Sequence, residues 1–225
     1  MTIERKLLGT TPVSGEVPPE AVSFDGTNDY LSRSSNMSGE ANGKTFTFSV
    51  WSYNGLLIAD NTAFYSNGSG GIYGIRIFHN DSGLFYVVGT NTAGTTILWG
   101  TDNTYLPRDT WNHILISVDM TSSSNSKVYI NDVDTSIVWS TFTNDSINFT
   151  KAAPAIGNLI NGQQKIRGRV AHFFLDKTYR DLSVTANRRL FIDADGKPSS
   201  TIPSNPILYL PMTDAATAGS NSGTG

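Results

Sequence analysis

The sequence of 225 residues contains no cysteine. This absence excludes disulfides, thiolate zinc sites, iron–sulfur clusters and thiol nucleophiles, although it leaves the redox compartment undetermined. Long apolar runs are missing too, and none approaches the roughly 18 to 20 residues that a membrane-spanning helix needs. The opening residues contain charges but no apolar stretch of secretory length. The sequence therefore predicts no signal peptide and no membrane insertion.

Charged residues are scarce at 16% of the chain, and the net charge is only −3. Such a balance gives no strong overall attraction to nucleic acid or to an anionic membrane. Glutamate is restricted to the first 40 residues, where it occurs at Glu4, Glu16, Glu20 and Glu40. Glycoside hydrolases need two carboxyl groups on either side of the scissile bond. Because only aspartates remain downstream, and none forms an Asp-x-Asp pair in a predicted core strand, we expect no enzyme activity.

Aromatic residues, at 11%, and the small polar residues Ser, Thr, Asn and Gly are plentiful. This composition favours many short strands joined by turns. Residues 45–50 alternate strictly, which predicts that Phe46, Phe48 and Val50 share the buried face of a strand. Further strands are predicted at Ile72–Phe78, Leu84–Val88, Thr95–Trp99, Trp111–Val118, Lys127–Ile130, Ile166–Leu175 and Ile207–Leu210. The sequence thus predicts an all-β sandwich or barrel.

We divide the chain into three parts. Residues 1-19 contain repeated Pro and Gly and are predicted to be an extended arm. Residues 20-212 form the β domain, with one short helix near 184-191 that begins after Ser183 as N-cap and packs on the sandwich edge. Residues 213-225 are rich in Gly and Ser and are predicted to be a flexible tail that buries no face.

Three segments resemble, in order and spacing, the concanavalin A-like lectin superfamily and its laminin G-like branch. They are Val22–Leu31 with the strand ending Phe48-Ser49-Val50-Trp51, Trp111–Asp119 with Val128–Asp132, and Gly168–Leu175. The resemblance implies a two-sheet jelly-roll sandwich, in which Ala21–Phe24 pairs with Ile207–Leu210. The predicted core comprises Phe24, Phe46, Phe48, Val50, Ile75, Ile77, Val87, Leu115, Val128, Ile130, Val170 and Leu208.

Two further segments look like parts of tailed-bacteriophage virion proteins. They are Tyr179–Pro198, after the sandwich, and Arg5–Thr10 at the start. This resemblance implies a non-catalytic accessory virion protein, such as a capsid decoration, head spike or fibre component, that assembles in the host cytoplasm and leaves by lysis. The implied partners are other virion proteins and further copies of the chain, with a trimer as our guess. A glycan-binding receptor-recognition module of a tail fibre is the alternative, and a polysaccharide hydrolase is the third.

Side-chain oxygens gather in the turn that contains Asp25, Asn28 and Asp29. Calcium takes such oxygen ligands, and it occurs in laminin G-like domains, so these residues are candidate metal ligands. A plain Asx-rich hairpin without metal is the favoured interpretation of the same residues. No other cofactor is indicated.

Aromatic faces beside amide or carboxyl side chains are the parts that bind sugars. The best such positions for a host surface glycan are Tyr53, Asn54, Tyr105 and Trp139. Docking to a virion partner is predicted for the arm, through Arg5, Lys6, Leu7 and Leu8. Residues 165–197 hold eight basic against four acidic residues, and Lys165, Arg167 and Arg169 share one strand face by their spacing. That face is either solvated or a second docking patch; nucleic acid is not expected, since no stacking aromatics are interleaved.

Overall fold

The computed structural model describes residues 20–37, 40–54, 62–69, 72–80, 83–103, 105–159 and 164–225. The strands are β1 Val22–Asp25, β2 Leu31–Ser32, β3 Thr45–Asn54, β4 Thr62–Ser69, β5 Ile72–His79, β6 Phe85–Thr90, β7 Thr96–Asp102, β8 Trp111–Asp119, β9 Lys127–Ile130, β10 Val133–Asp134, β11 Val138–Phe142, β12 Ala155–Ile156, β13 Arg167–Asp176 and β14 Leu208–Leu210. A short helix, α1, spans Thr185–Arg188, and one 3₁₀ turn spans Ala215–Thr217.

The strands form two antiparallel sheets of seven strands each. Sheet A has the order β1-β13-β3-β8-β9-β10, with β14 also paired to β13. Sheet B has the order β11-β7-β6-β5-β4-β12-β2. This architecture confirms the predicted all-β, two-sheet jelly-roll sandwich.

The interface between the sheets is the main core, and β3 shows how the sequence builds it. Phe46, Phe48 and Val50 point inward and are fully buried, as their alternation predicts. Every residue of the predicted core is buried. Leu115 differs from the other predicted core residues, because it packs on the outer side of sheet A rather than between the sheets.

Residues 177–203, which we call the covering segment, lie over the outer face of sheet A. Leu182 and Phe191 pack there on Leu115, Tyr129 and Phe174. Hydrogen bonds tie the two layers together, since the hydroxyls of Thr45 and Thr47 donate to the carbonyls of Lys177 and Thr178. The predicted helix is present, but it is short and lies over a sheet face rather than at an edge.

The predicted N-cap is wrong in detail. Ser183 donates its hydroxyl to Asp181, and helix α1 starts after Val184 with no side-chain cap.

Among the described residues, no helix has the length and apolar character needed to cross a membrane.

The predicted pairing between the first and last strands is wrong. Strand β1 pairs with β13 through Val22 and Val170, whereas β14 pairs with β13 through Leu210 and Phe173. Both strands therefore lie end to end along the same edge of β13. A β-bulge between Ala171 and Phe174 separates the two pairings.

The C-terminal segment also differs from the prediction, because residues 213–225 fold back onto the sandwich. Ala218 is buried in the main core. Asn221 accepts from the Tyr209 amide and donates to the Ile207 carbonyl, and the Gly225 amide donates to the same carbonyl. Small side chains allow this close approach, and the Asn221 side chain satisfies backbone groups that the close approach removes from water. The predicted arm, residues 1-19, lies outside the described residues.

Candidate functional site

Tyr53, a predicted sugar-contacting residue, lies at the end of β3 on the outer face of sheet A. Its ring meets Trp111 edge to face with centroids 5.8 Å apart, and the Arg169 guanidinium carbon lies 4.3 Å from its centroid. The register explains this cluster, since Arg169, Tyr53 and Trp111 are direct neighbours across three strands. Two predicted sites, one for sugar and one for docking, thus meet in one contact.

The other predicted docking residues of the domain, Lys165 and Arg167, lie beside the turn after β1. Lys165 precedes β13, and its ammonium donates a hydrogen bond to the Thr27 carbonyl. Arg167 is exposed on β13 opposite Asp25. Arg5, Lys6, Leu7 and Leu8 lie outside the described residues.

The remaining predicted sugar contacts do not form one site. Tyr105 is 63% exposed in the loop before β8. Trp139 is partly buried, packs against Phe142 at 5.7 Å and donates its indole N–H to the Ser126 carbonyl. Its ring therefore fills the sandwich margin instead of offering a face to a ligand. Asn54 ends β3, and its side chain lies outside the described part of the structure.

The predicted metal ligands do come together in the turn after β1. Asp25 Oδ1 accepts from the amides of Thr27 and Asn28 at 2.6 and 3.1 Å, and Asp29 Oδ2 accepts from the Asp25 amide at 2.9 Å. These backbone bonds lower the pKa of Asp25. The oxygens thus close an Asx turn, and no three His, Asp or Glu side chains of the described residues gather as a metal site.

A row of aromatic side chains crosses the outer face of sheet B, and we call Tyr73, Phe78, Tyr86 and Trp99 the aromatic row. Phe78 and Tyr86 are cross-strand partners, and their rings stack at 4.8 Å with an angle of 9°. Tyr86 meets Trp99 of the next strand edge to face at 6.1 Å. Phe78 is buried and Tyr86 partly so, whereas Trp99 is 36% exposed.

Polar groups border the aromatic row. The Arg76 guanidinium carbon lies 3.8 Å from the Phe78 centroid and 5.5 Å from that of Tyr73. The side-chain amide of Asn80 donates an N–H to the Tyr86 hydroxyl at 3.3 Å. Burial lowers the pKa of the Arg76 guanidinium from its usual value, an effect that the nearby Tyr73 hydroxyl opposes. The face thus combines apolar rings with a few fixed hydrogen-bonding groups.

None of the aromatic row was predicted as a site, although its residues fall at or inside predicted strands. The available signal was the presence of large apolar residues on both faces of three consecutive strands. A strand with only one buried face needs apolar residues at alternate positions alone. An aromatic residue at the other positions indicates either a covering layer or a ligand surface.

The sequence profile of the Laminin_G_3 family, of the concanavalin A-like lectin/glucanases superfamily, matches residues 25–175. The chain belongs to this family. Strands β2 to β12 and most of β13 lie within the matched region, whereas most of β1 and the covering segment lie outside it. No curated protein matches the sequence.

Solved structures resemble this Laminin_G_3 chain at low identity. A candidate carbohydrate-binding protein from Bacteroides ovatus ATCC 8483 gives a TM-score of 0.60 at 14% identity, over 87% of this chain and 52% of that one. A heptameric SAP-like pentraxin from Limulus polyphemus gives 0.56 at 10%, over 81% and 86%. Tailspike protein 2 of the Escherichia coli O157:H7 bacteriophage CAB120 gives 0.56 at 16%, over 86% and 26%. The chain thus spans about half of the Bacteroides protein, and these likenesses establish the fold.

The two outer faces of the Laminin_G_3 sandwich present different side chains. Sugar rings present C–H groups that pack on aromatic faces, while hydroxyls need nearby hydrogen-bonding groups. Trp99 and Tyr86 supply the first, and Asn80 and Arg76 supply the second. On sheet A the Tyr53 cluster is smaller, and Arg169 already occupies one position beside its ring.

Proposed function

We propose that this protein is a non-catalytic carbohydrate-binding protein that uses the outer face of sheet B. The observation that carries the proposal is the aromatic row, in which Tyr86 and the 36%-exposed Trp99 meet edge to face beside polar groups. Loop residues 159 and 164 flank one end, because Leu159 packs on the row and Gln164 contacts Arg76. A surface of aromatic rings bordered by hydrogen-bonding side chains suits an extended glycan.

The residues around the row support a binding role rather than hydrolysis. Outward positions on β5 to β7, besides Tyr73, include six side chains: Arg76, Phe78, Tyr86, Val88, Trp99 and Thr101. A glycosidase needs paired carboxyl groups, one of them with a raised pKa to act as acid. None of these six side chains has a carboxyl. Hydrogen bonds lower the pKa of Asp25, Asp145 and Asp181, which is the opposite of what a catalytic acid requires.

Binding to a panel of bacterial surface polysaccharides tests this proposal, with the chain and its variants compared by affinity electrophoresis. Trp99→Ala is expected to weaken binding about tenfold or more, because the indole face is lost. Tyr53→Ala is the matched control, an aromatic deletion on the opposite sheet. Loss with Tyr53→Ala and normal binding with Trp99→Ala would move the site to sheet A and overturn the proposal.

We further propose that the protein carries out this binding as a projection on a tailed-phage virion. The phage-like segments Tyr179–Pro198 and Arg5–Thr10 support this setting, as does the presence of the fold in a phage tailspike. In this proposal the arm docks on a capsid or tail protein, and the exposed Arg167 of β13 adds a basic contact. Three copies would assemble around a symmetry axis.

Deletion of residues 1–19 tests the docking. We expect the shortened chain to keep its glycan binding and to disappear from purified particles in immunoblots. Light scattering of the full and shortened chains tests the trimer. Full incorporation of the shortened chain would show that the arm is not the docking element.

A further inference from the structure

Arg76 is the most unusual charged residue on the proposed binding face. Its guanidinium carbon lies 3.8 Å from the Phe78 ring centroid, and one Nη donates to the Gln164 side chain. Its Nε is buried and has no hydrogen-bond acceptor among the described residues. The side chain is therefore only partly satisfied, although much of it is removed from water.

The arginines on the opposite face show how this chain otherwise treats a partly buried guanidinium. Arg180 pairs with Asp176 at 2.7 Å, while Arg188 and Arg189 pair with Asp132 at 2.5 and 2.8 Å. None of the ion pairs formed among the described residues includes Arg76. A desolvated charge without a counter-ion is costly, and two aromatic rings compensate only part of that cost. Arg76 thus has unused capacity for an anion.

The position of Arg76 specifies what kind of anion fits. The guanidinium stands at one end of the sequence Arg76, Phe78, Tyr86 and Trp99, in which consecutive groups are 3.8, 4.8 and 6.1 Å apart. A glycan chain that covers Trp99 and Tyr86 extends towards Arg76. Guanidinium groups bind carboxylates strongly, through charge-assisted hydrogen bonds.

We propose that the glycan bound on the outer face of sheet B is acidic, and that a sugar carboxylate pairs with Arg76. This inference rests on the proposed function and adds the chemical class of the ligand. The net charge of −3 opposes an acidic polymer at long range, so selection of the acid must come from this local cation.

The test uses pairs of polysaccharides that differ only in charge. Acidic polymers such as polygalacturonate, alginate and polysialic acid, and acidic capsular polysaccharides, are each compared with their carboxyl-reduced forms. We expect at least one acidic polymer to bind, and to lose at least tenfold in affinity on carboxyl reduction. The affinity for the acid should also fall with added salt, as expected for an ion pair.

Two arginine variants separate this role from a structural one. Arg76→Gln is expected to bind the acidic and reduced forms about equally and to lose the salt dependence, with a melting temperature close to the parent. Arg169→Gln is the matched control, since its guanidinium also lies over an aromatic ring but on sheet A. It should keep the preference for acid.

The outcomes distinguish the two proposals. Equal binding of acidic and reduced polymers by the unchanged chain would overturn the acid preference and leave carbohydrate binding in place. Binding of neither form would overturn carbohydrate binding itself. If the acid preference survives Arg76→Gln and disappears with Arg169→Gln, the carboxylate binds on sheet A. That result would overturn the role of Arg76.

Discussion

The two outer faces of this sandwich are built from similar residues but meet different surroundings. On sheet A, Leu115 and Phe174 are fully buried because Leu182 and Phe191 of the covering segment lie on them. On sheet B, Trp99 is 36% exposed. The comparison shows that outward-pointing aromatics have two explanations, a second core or a ligand surface. Only the layer above the sheet decides between them.

Arginines repeat the same contrast. On sheet A, Arg188 donates to Asp132 and to the Leu182 carbonyl while its guanidinium lies 4.7 Å from the Tyr129 ring. On sheet B, Arg76 has rings beside it but no carboxylate among the described residues. A fully paired arginine fixes structure, whereas a partly satisfied one is available for binding.

The largest expected effect comes from Phe174→Ala on the covered face. Phe174 is 1% exposed and packs edge to face on Phe191 at 5.0 Å. Removing a buried phenyl ring usually costs about 3 to 5 kcal/mol in the free energy of unfolding. Urea denaturation measures this loss. A cost below about 1 kcal/mol would mean that the covering segment adds no core.

Arg188→Ala comes next. It removes a charge-assisted bond to Asp132 and a bond to the Leu182 carbonyl, and we expect a loss of about 1.5 to 3 kcal/mol. Amide hydrogen exchange in residues 182–192 should accelerate more than exchange in β3. Lys127→Ala is the control, since its pair with Asp134 is more exposed and should contribute at most about 1 kcal/mol. Equal effects of the two variants would contradict the comparison.

Acid should weaken the covered face through His113. This residue is fully buried, bonds Ser49 at 2.9 Å and stacks on Trp51, and burial lowers its pKa to about 3. Below the unfolded pKa near 6.5, the unfolded chain binds a proton that the folded chain excludes. The free energy of unfolding should therefore decrease as the pH is lowered, by up to about 1.4 kcal/mol per pH unit from this residue.

Urea titrations at pH 7, 6, 5 and 4 measure that slope. His113→Gln should flatten it, whatever its effect on stability at pH 7, because glutamine does not titrate. Burial also lowers the pKa of His79 and His172, so a smaller slope should remain. An unchanged slope in His113→Gln would refute the assignment.

The smallest stability effect is expected from Trp99→Ala on the open face. Because the indole is 36% exposed and its closest ring contact is edge to face at 6.1 Å, we expect less than about 1 kcal/mol. Thermal and urea unfolding measure the change. A loss as large as that of Phe174→Ala would make the aromatic row a structural core and remove the distinction between the faces.

Strict alternation made most of the fold predictable. Phe46, Phe48 and Val50 repeat every second residue, and such strands were found where predicted. Strands β4 and β11 were missed, and both have irregular registers, between Ala63 and Tyr65 and between Trp139 and Thr141. A bulge shifts the alternation by one residue, so period-two reasoning fails on either side of it.

The site was harder to predict for a related reason. The sequence shows that Trp99 and Trp139 both lie near strands, but not which face each one occupies. Trp139 opposes Gly100, whose missing side chain leaves room for the indole inside the sandwich. Trp99, the residue before Gly100, points to the outer face of sheet B instead. Only the register between β7 and β11 makes this distinction, and no local pattern encodes it.

The shared edge of β13 holds both the first and the last strand of the sandwich. Strand β1 begins where β14 ends, and the His172 amide between them donates to the Pro211 carbonyl. Both the first and the last strand of the sandwich therefore depend on one strand for their pairing, so opening the β13 edge would release β1 and β14 together. The chain does not leave the sandwich at this point, because residues 213–225 turn back and the Gly225 amide donates to the Ile207 carbonyl just before β14.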